Sequence, residues 1–271
     1  MIKQAIIPLA GLGTRLLPLT SVLPKELLPI KGKPGLEYIL DECLSAGIKE
    51  FIFIISNKKE MIKKYFNNDA FFKQVLKKKK KDKNLKQEYY KIKKLKKMIK
   101  FVYQNSPKGT GDAVLKCRKF IKQGYFLMIL PDDLIIKSNC TKAMIKIHKK
   151  FKSSVIASKK VRSNEVTRWG IFDLKKINKK NFLINDVIEK PKVNLAPSNY
   201  AVIGRYILPS KIFNLLKNQK PGQNGEIHIT DAIRKLILKK EKFMGHIFDG
   251  KYLDCGTMKG YINSSIEISK L

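Results

Sequence analysis

Apolar runs of strand length recur through the first half of the chain, at 2–9, 51–55, 101–104 and 125–130. Between the first two, Leu36, Ile39, Leu40, Cys43 and Leu44 repeat at helical spacing. Pro34 is placed to be the first helical residue there and Gly47 to end the helix. Further helices are expected over 58–66 and over 113–121, the latter on Ala113, Val114, Cys117, Phe120 and Ile121. Strands that are apolar throughout, rather than alternating, are buried on both faces. Strand and helix in turn therefore predict a parallel sheet covered on both sides.

Beyond Lys150 the texture changes to short β-rich runs at 154–158, 170–174, 182–189 and 200–208, followed by a helix over 229–238. These read as strands added to the same sheet, plus a cap. No internal repeat and no Gly/Ser linker interrupts the chain. Residues 1–271 are thus expected to form one domain with two halves, 1–150 and 151–271. Residues 73–100 hold 14 Lys against only Asp82 and Glu88, and are expected to form an exposed helical excursion or a mobile flap.

Composition narrows the class. With 44% hydrophobic residues among 271, the chain has enough apolar material for a sizeable core. No apolar run approaches the roughly 20 residues that span a bilayer. The short apolar start is broken by Pro8 and runs into a glycine turn, so no cleaved leader is expected. Lys and Arg total 57 against 22 acids, a net charge of +35. Such a surplus suits nucleic acid or an anionic surface. However, only six of the 57 are Arg, the residue best suited to bidentate contacts with phosphates and bases. The lysines are spread along the whole chain with abundant Ile and Asn, as codon bias in a low-GC genome would produce. Nucleic acid and membrane are therefore not the expected partners. Cys43, Cys117, Cys140 and Cys255 lie far apart with only three His in the chain. That spacing suits neither zinc nor a disulfide framework, and separate thiols in a reducing cytoplasm are expected.

Three places carry candidate chemistry. The turn Ala10-Gly11-Leu12-Gly13-Thr14-Arg15 follows the first strand, and glycines there let backbone N–H groups approach an anion. It lacks the third glycine of a dinucleotide fingerprint and the G-K-[ST] of a Walker loop; alone, it is equally a structural bend. Lys25, within Pro24-Lys25-Glu26-Leu27-Leu28-Pro29, adds a second cation on a proline-stiffened loop, and together with Arg15 it suits a polyphosphate. Asp132 stands beyond a buried strand and Asp254 beyond a second apolar stretch. Carboxylates at that edge of a parallel sheet can hold Mg²⁺; as isolated residues they also read as caps or turns. Finally, Glu189-Lys190-Pro191 sets an acid beside a base, suited to a hydroxyl-rich phosphate ligand or to an ordinary charged strand end.

Taken in order, these blocks resemble the sugar-1-phosphate nucleotidyltransferases, and among them the bacterial UTP–glucose-1-phosphate uridylyltransferase branch. The blocks are AGLGTRLLP (10–18), PKELLPI (24–30), LDECLSAGI (40–48), LPDD (130–133), EKPK (189–192), APSNYAVIGRYIL (196–208), GEIHITDAI (225–233) and DCGTMKGY (254–261). The resemblance implies an α/β fold with a Rossmann-like mixed, mainly parallel sheet flanked by helices. It also implies Mg²⁺ dependence, UTP and glucose 1-phosphate as substrates, and a homo-oligomer. By the same resemblance, Ala10, Gly11, Gly13, Thr14, Glu26, Gln104 and Gly109 would receive the nucleotide. Arg15 and Lys25 would hold the triphosphate and Asp132 and Asp254 the metal. Gly170 and Glu189 would hold the sugar, with Lys190 on its phosphate. Two departures stand out: Asp112 where this branch usually has His, and Trp169 where it usually has Tyr. A thymidylyltransferase, another sugar-1-phosphate nucleotidyltransferase and a non-catalytic polyanion binder are the alternatives.

Overall fold

The computed structural model describes residues 2–222 and 225–271. Strands β1 (Gln4–Pro8), β2 (Glu50–Ile55), β3 (Ile99–Tyr103) and β4 (Tyr125–Ile129) run parallel to one another. The same sheet continues with β5 (Ser154–Lys160), β6 (Gly170–Lys176), β7 (Asn181–Glu189), β8 (Tyr200–Pro209) and β9 (Phe243–Ile247). The strand order is β3-β2-β1-β4-β8-β5-β9-β7-β6. Antiparallel pairing enters with β8, which opposes both β4 and β5. The last strands pair β9 parallel to β5, and β7 antiparallel to β9 and β6. The mixed sheet expected from the sequence is thus present, with parallel pairing concentrated in the first half.

Side chains on the central strands divide strictly by parity, as the period of two requires. On one face Ala5, Ile7, Phe51, Phe53 and Ile55 pack with helices α1 (Gly35–Ser45), α2 (Glu60–Asn67), α4 (Lys83–Met98), α6 (Cys140–Phe151) and α9 (Met258–Ser269). On the other, Ile6, Ile52 and Ile54 pack with α5 (Thr110–Lys116), α7 (Ile212–Lys217) and α8 (Ile229–Leu238). Two apolar layers around one sheet explain why the strand runs show no polar alternation. The cysteines are free: Cys43, Cys117 and Cys140 are buried and Cys255 is half-buried.

Several expectations change in detail. Pro34 lies just outside α1, as its N-cap, because it pairs with Pro29 in a two-residue hairpin that holds its ψ at 145°. The helix expected over 113–121 ends at Lys116 and tightens into a 3₁₀ turn, Arg118–Phe120. The Lys-rich segment takes the helical form of the two expected, but is only partly exposed. It forms α3 (Asp69–Lys78), which has no buried residue, and α4, which buries Ile92 and Leu95 against the sheet layer and Tyr89 beside Phe72 of α3. Lys91 on α4 reaches back to Glu37 at 2.5 Å and Asp41 at 3.3 Å on α1. Helices α6, α7 and α9 appear without having been anticipated.

One buried polar network braces the sheet. Arg205 on β8 is fully buried and donates from Nη2 to Glu42 Oε2 at 2.8 Å, and from Nη1 to the carbonyl of Asp133. Glu42 Oε1 also accepts from the backbone N and hydroxyl of Thr141, at 3.0 and 2.7 Å. A buried guanidinium is tolerated only when its donors are met in this way.

Candidate active site

The chain crosses from sheet to loop at the carboxyl ends of β1 and β4, where an open parallel sheet presents its ligand crevice. Past β1, Gly13 adopts φ 71° and opens a 3₁₀ turn, Thr14–Leu16, that carries Arg15. A second 3₁₀ turn, Lys25–Leu27, is started by Pro24 and carries Lys25 and Glu26. Past β4, Pro131 leads into Asp132. The next residues, Asp133–Ile136, pair antiparallel with Lys251–Asp254, placing Asp254 opposite Asp133. The Cys255 N–H donates to the Asp132 carbonyl at 2.8 Å, closing that junction.

Here the two candidate metal ligands meet. A Cβ at Gly256 would lie 2.9 Å from Asp132 Oδ2, 3.1 Å from Asp254 Oδ1 and 3.1 Å from Arg15 Nη2. Only glycine leaves this hollow open. Lys25 Nζ donates to Asp132 Oδ2 at 2.5 Å, and Arg168 Nη2 lies 3.7 Å from Asp254 Oδ2. Burial opposes the charge of Asp132, but Lys25 and Arg15 outweigh it and hold the carboxyl below its ordinary range. Burial likewise opposes the Lys25 ammonium, while Asp132 and Glu26 keep it above its ordinary value. Both charges are therefore in place at neutral pH. Asp133, next in the chain, is held by its neighbours in the fold. Its oxygens accept from the Tyr252 hydroxyl at 2.5 Å and the Gly204 N–H at 2.9 Å.

Two carboxylate oxygens facing one hollow suit a hard divalent cation that completes its shell with phosphate and water oxygens. Among the described residues no cluster of three or more His, Cys, Asp or Glu could form an all-protein metal cage, so the donor set fits a metal shared with a ligand.

The sugar-side candidates converge on the same crevice. Gly170 on β6 pairs with Glu189 on β7, and a Cβ at Gly170 would lie 3.2 Å from Glu189 Oε2. That oxygen accepts from the Thr230 hydroxyl at 2.9 Å. Lys190 turns sharply at φ 47° and its N–H donates to the Trp169 carbonyl at 3.0 Å. Thr14, Arg15, Asp132, Gly170, Glu189, Lys190 and Asp254 line one cleft of about 780 Å³.

On the other side, Gln104 follows β3 and is buried, its Nε2 donating to the Gly109 carbonyl at 3.1 Å and to Asp112 Oδ2 at 2.7 Å. Gly109 adopts φ 92°, and a Cβ there would lie 2.6 Å from the Ile227 carbonyl. Glu26 is fully engaged: Lys59 Nζ donates to both its oxygens at 2.7 Å. Lys59 thus retains the Glu26 carboxylate, which lies beside Lys25, Pro131 and Asp132. Ala10 and Gly11 lie in the loop between β1 and the Arg15 turn.

Sequence reasoning singled out neither Lys59, Thr230, Arg168 nor the Glu42–Arg205 brace. Lys59 is one of a great many lysines. Glu42, Arg205 and Thr230 stood inside quoted blocks without a role, and a mid-strand Arg such as Arg205 was a signal open to use.

Fold and crevice define a class, and the chain belongs to the nucleotidyl transferase family, whose model matches residues 4–270. More particularly, it is 38% identical to UTP–glucose-1-phosphate uridylyltransferase 2 of Staphylococcus saprophyticus, covering 98% of this chain and 91% of that one. It is 37% identical to the UTP–glucose-1-phosphate uridylyltransferase of Mycoplasma pneumoniae, with 98% and 91% covered. Among solved structures, a UDP-glucose pyrophosphorylase complexed with UDP-glucose superposes with a TM-score of 0.86 at 35% identity, covering 100% of this chain and 99% of that one.

Proposed function

We propose that the protein transfers the uridylyl group of UTP to glucose 1-phosphate, forming UDP-glucose and releasing pyrophosphate. The observation that carries this reading is the hollow over Gly256, where Asp132, Asp254 and Arg15 meet beside Lys25. The match to uridylyltransferases along nearly the whole chain supports it. In the reaction the sugar phosphate oxygen forms a bond to the α-phosphorus of UTP while the bond to the β-phosphate oxygen breaks, with pyrophosphate leaving in line. No covalent protein intermediate is required, so the chain's task is to align two anions and to neutralise them.

The residues divide that task. Backbone at Ala10, Gly11, Gly13 and Thr14 cradles the nucleotide, with Gln104 and Gly109 at the base and Glu26 behind them. Arg15 and Lys25 neutralise the triphosphate. Glu189 and the open face of Gly170 receive sugar hydroxyls, and Lys190 meets the sugar phosphate. Asp132 and Asp254 would hold a divalent cation, Mg²⁺ in this reading, which when bound supplies charge neutralisation at the transferred phosphate. Residues 1–150 then furnish the nucleotide half and 151–271 the sugar-phosphate half of one domain, supported by the single sheet that draws strands from both. A reducing cytoplasm is supported by the four free thiols, and homo-oligomer assembly by exposed Met258, Ile262 and Ile266 along α9.

Pyrophosphate release from UTP and Mg²⁺, measured with and without glucose 1-phosphate and with dTTP in parallel, tests the reading. Release that needs the sugar phosphate and favours UTP is expected. Preference for dTTP would move the assignment to thymidylyl transfer. No release with either nucleotide would leave a polyanion binder.

A further inference from the structure

Gln104 has a fixed polarity. Its backbone N–H is tied to the Ile55 carbonyl at 2.8 Å, and its side chain is buried. A carboxamide nitrogen has two protons and no acceptor capacity. Here one proton goes to the Gly109 carbonyl and the other to Asp112 Oδ2. Rotating the amide by half a turn would set its oxygen against that carbonyl and that carboxylate, leaving three acceptors with no donor between them. Asp112 lies in the first turn of α5 and is itself largely buried, its side chain 14% exposed. Its second neighbour, Lys116 Nζ, is 3.9 Å away and leaves the short bond to Gln104 undisturbed. Gln104 Oε1 accepts no hydrogen bond from the described residues and is not sealed from solvent. The only group that Gln104 can offer a ligand is therefore an acceptor.

We infer that Asp112 is a positioning residue that locks Gln104 as an acceptor and so selects nucleobases that present a ring N–H. This inference rests on the proposed placement of the base at Gln104. Uracil and thymine carry a proton at N3 and satisfy the oxygen. Cytosine has a bare N3, which would face it as a second acceptor and leave both unpaired. The 5-position plays no part, so this lock separates UTP from CTP and not from dTTP. It also gives a local function to the aspartate that departs from the pattern of the uridylyltransferases.

The test compares wild type, Asp112→Ala, the isosteric Asp112→Asn and Gln104→Ala. It reads the KM for UTP, the KM for glucose 1-phosphate, kcat, and the inhibition constant of CTP. Losing a charge-assisted hydrogen bond that orients the amide is expected to raise the UTP KM about 10-fold in Asp112→Ala. The ratio of the CTP constant to the UTP KM should fall most in Asp112→Ala, where only the Gly109 carbonyl still holds the amide nitrogen, and less in Asp112→Asn, whose oxygen can accept the same bond but whose NH2 also tolerates the reversed amide. kcat and the glucose 1-phosphate KM should stay within about 2-fold, as expected for lost uniform binding of one substrate. An unchanged UTP KM and ratio in both variants would overturn the inference. So would equal weakening of UTP and CTP, which marks Asp112 as structural only. If Gln104→Ala leaves UTP and CTP binding unchanged, the placement of the base has failed instead.

Discussion

Lys25 and Asp132, 107 residues apart in the chain, face each other across 2.5 Å. Their side chains are 14% and 20% exposed, so the pair is screened only in part from its surroundings. The same carboxylate oxygen borders the hollow over Gly256. One atom thus serves a lysine and borders the place proposed for a cation.

Removing that carboxylate has two consequences. Asp132→Ala is expected to lower turnover by about 10²-fold or more, the scale of losing one preorganised electrostatic contact. It should also lower unfolding stability by about 1–3 kcal/mol, since Lys25 loses its nearest counter-charge. Steady-state pyrophosphate release and urea denaturation read the two effects separately. Near-wild-type turnover in a folded variant would remove Asp132 from the site.

The brace formed by Arg205 and Glu42 is of another kind. Arg205→Met alone leaves Glu42 buried without its cation, and is expected to cost about 3–5 kcal/mol. Pairing it with Glu42→Leu should return a substantial part of that loss, because no unmatched charge then remains. Denaturation of both single variants and the double variant forms the cycle. Strict additivity would show that the two side chains are not coupled.

Lys190 follows the strand that carries Glu189, and its positive φ fixes where the side chain leaves the backbone. Lys190→Ala is expected to weaken glucose 1-phosphate about 10- to 100-fold while the UTP KM stays near its original value. Initial rates with each substrate varied in turn would show this. A loss confined to UTP would place the ammonium on the triphosphate instead.

His246 on β9 gives stability a pH dependence. Its Nδ1 pairs with Asn181 Oδ1 at 3.0 Å, while Nε2 is buried with no partner among the described residues. Burial is the main cause that holds its pKa below the ordinary 6.5, and the Lys180 charge adds to it. Well above pH 6.5 the ring is neutral in folded and unfolded chains alike and contributes no slope. As pH falls through that value the unfolded chain takes up a proton that the folded one refuses, so stability declines. Each pH unit of depression corresponds to about 1.4 kcal/mol. His246→Gln should flatten the acid limb of urea-denaturation midpoints as pH falls through about 6.5. An unaltered limb would assign the decline to other groups.

Much of the fold was legible because it is written in local patterns. The buried strands declare themselves as unbroken apolar runs, since both sheet faces are covered. Helix α8 was bounded correctly by its periodicity. Helix α4 was obscured, because Tyr89, Ile92 and Leu95 are sparse among lysines whose stems cover the flanks of the buried stripe. Helix α9 was missed for a similar reason, Ser264 and Ile268 being its buried residues. Of the site, the glycine turn, the cations and the two aspartates were named in advance as separate pieces. The partners that orient them were not: Lys59 on Glu26, Thr230 on Glu189 and Tyr252 on Asp133 are pairings across 33, 41 and 119 residues.

The amino-acid sequence by itself therefore determined the strand runs, helices α1, α2 and α8, the separateness of the four cysteines and the order of blocks shared with the family. Those are properties of residues near one another in the chain, or of residue types compared in order. Tertiary structure alone decided that Asp132, Asp254 and Arg15 surround one hollow, that Glu26 is already paired, and that Asp112 grips Gln104. Each depends on how the chain is led from sheet to loop, where a difference of one ångström separates a bond from a bystander.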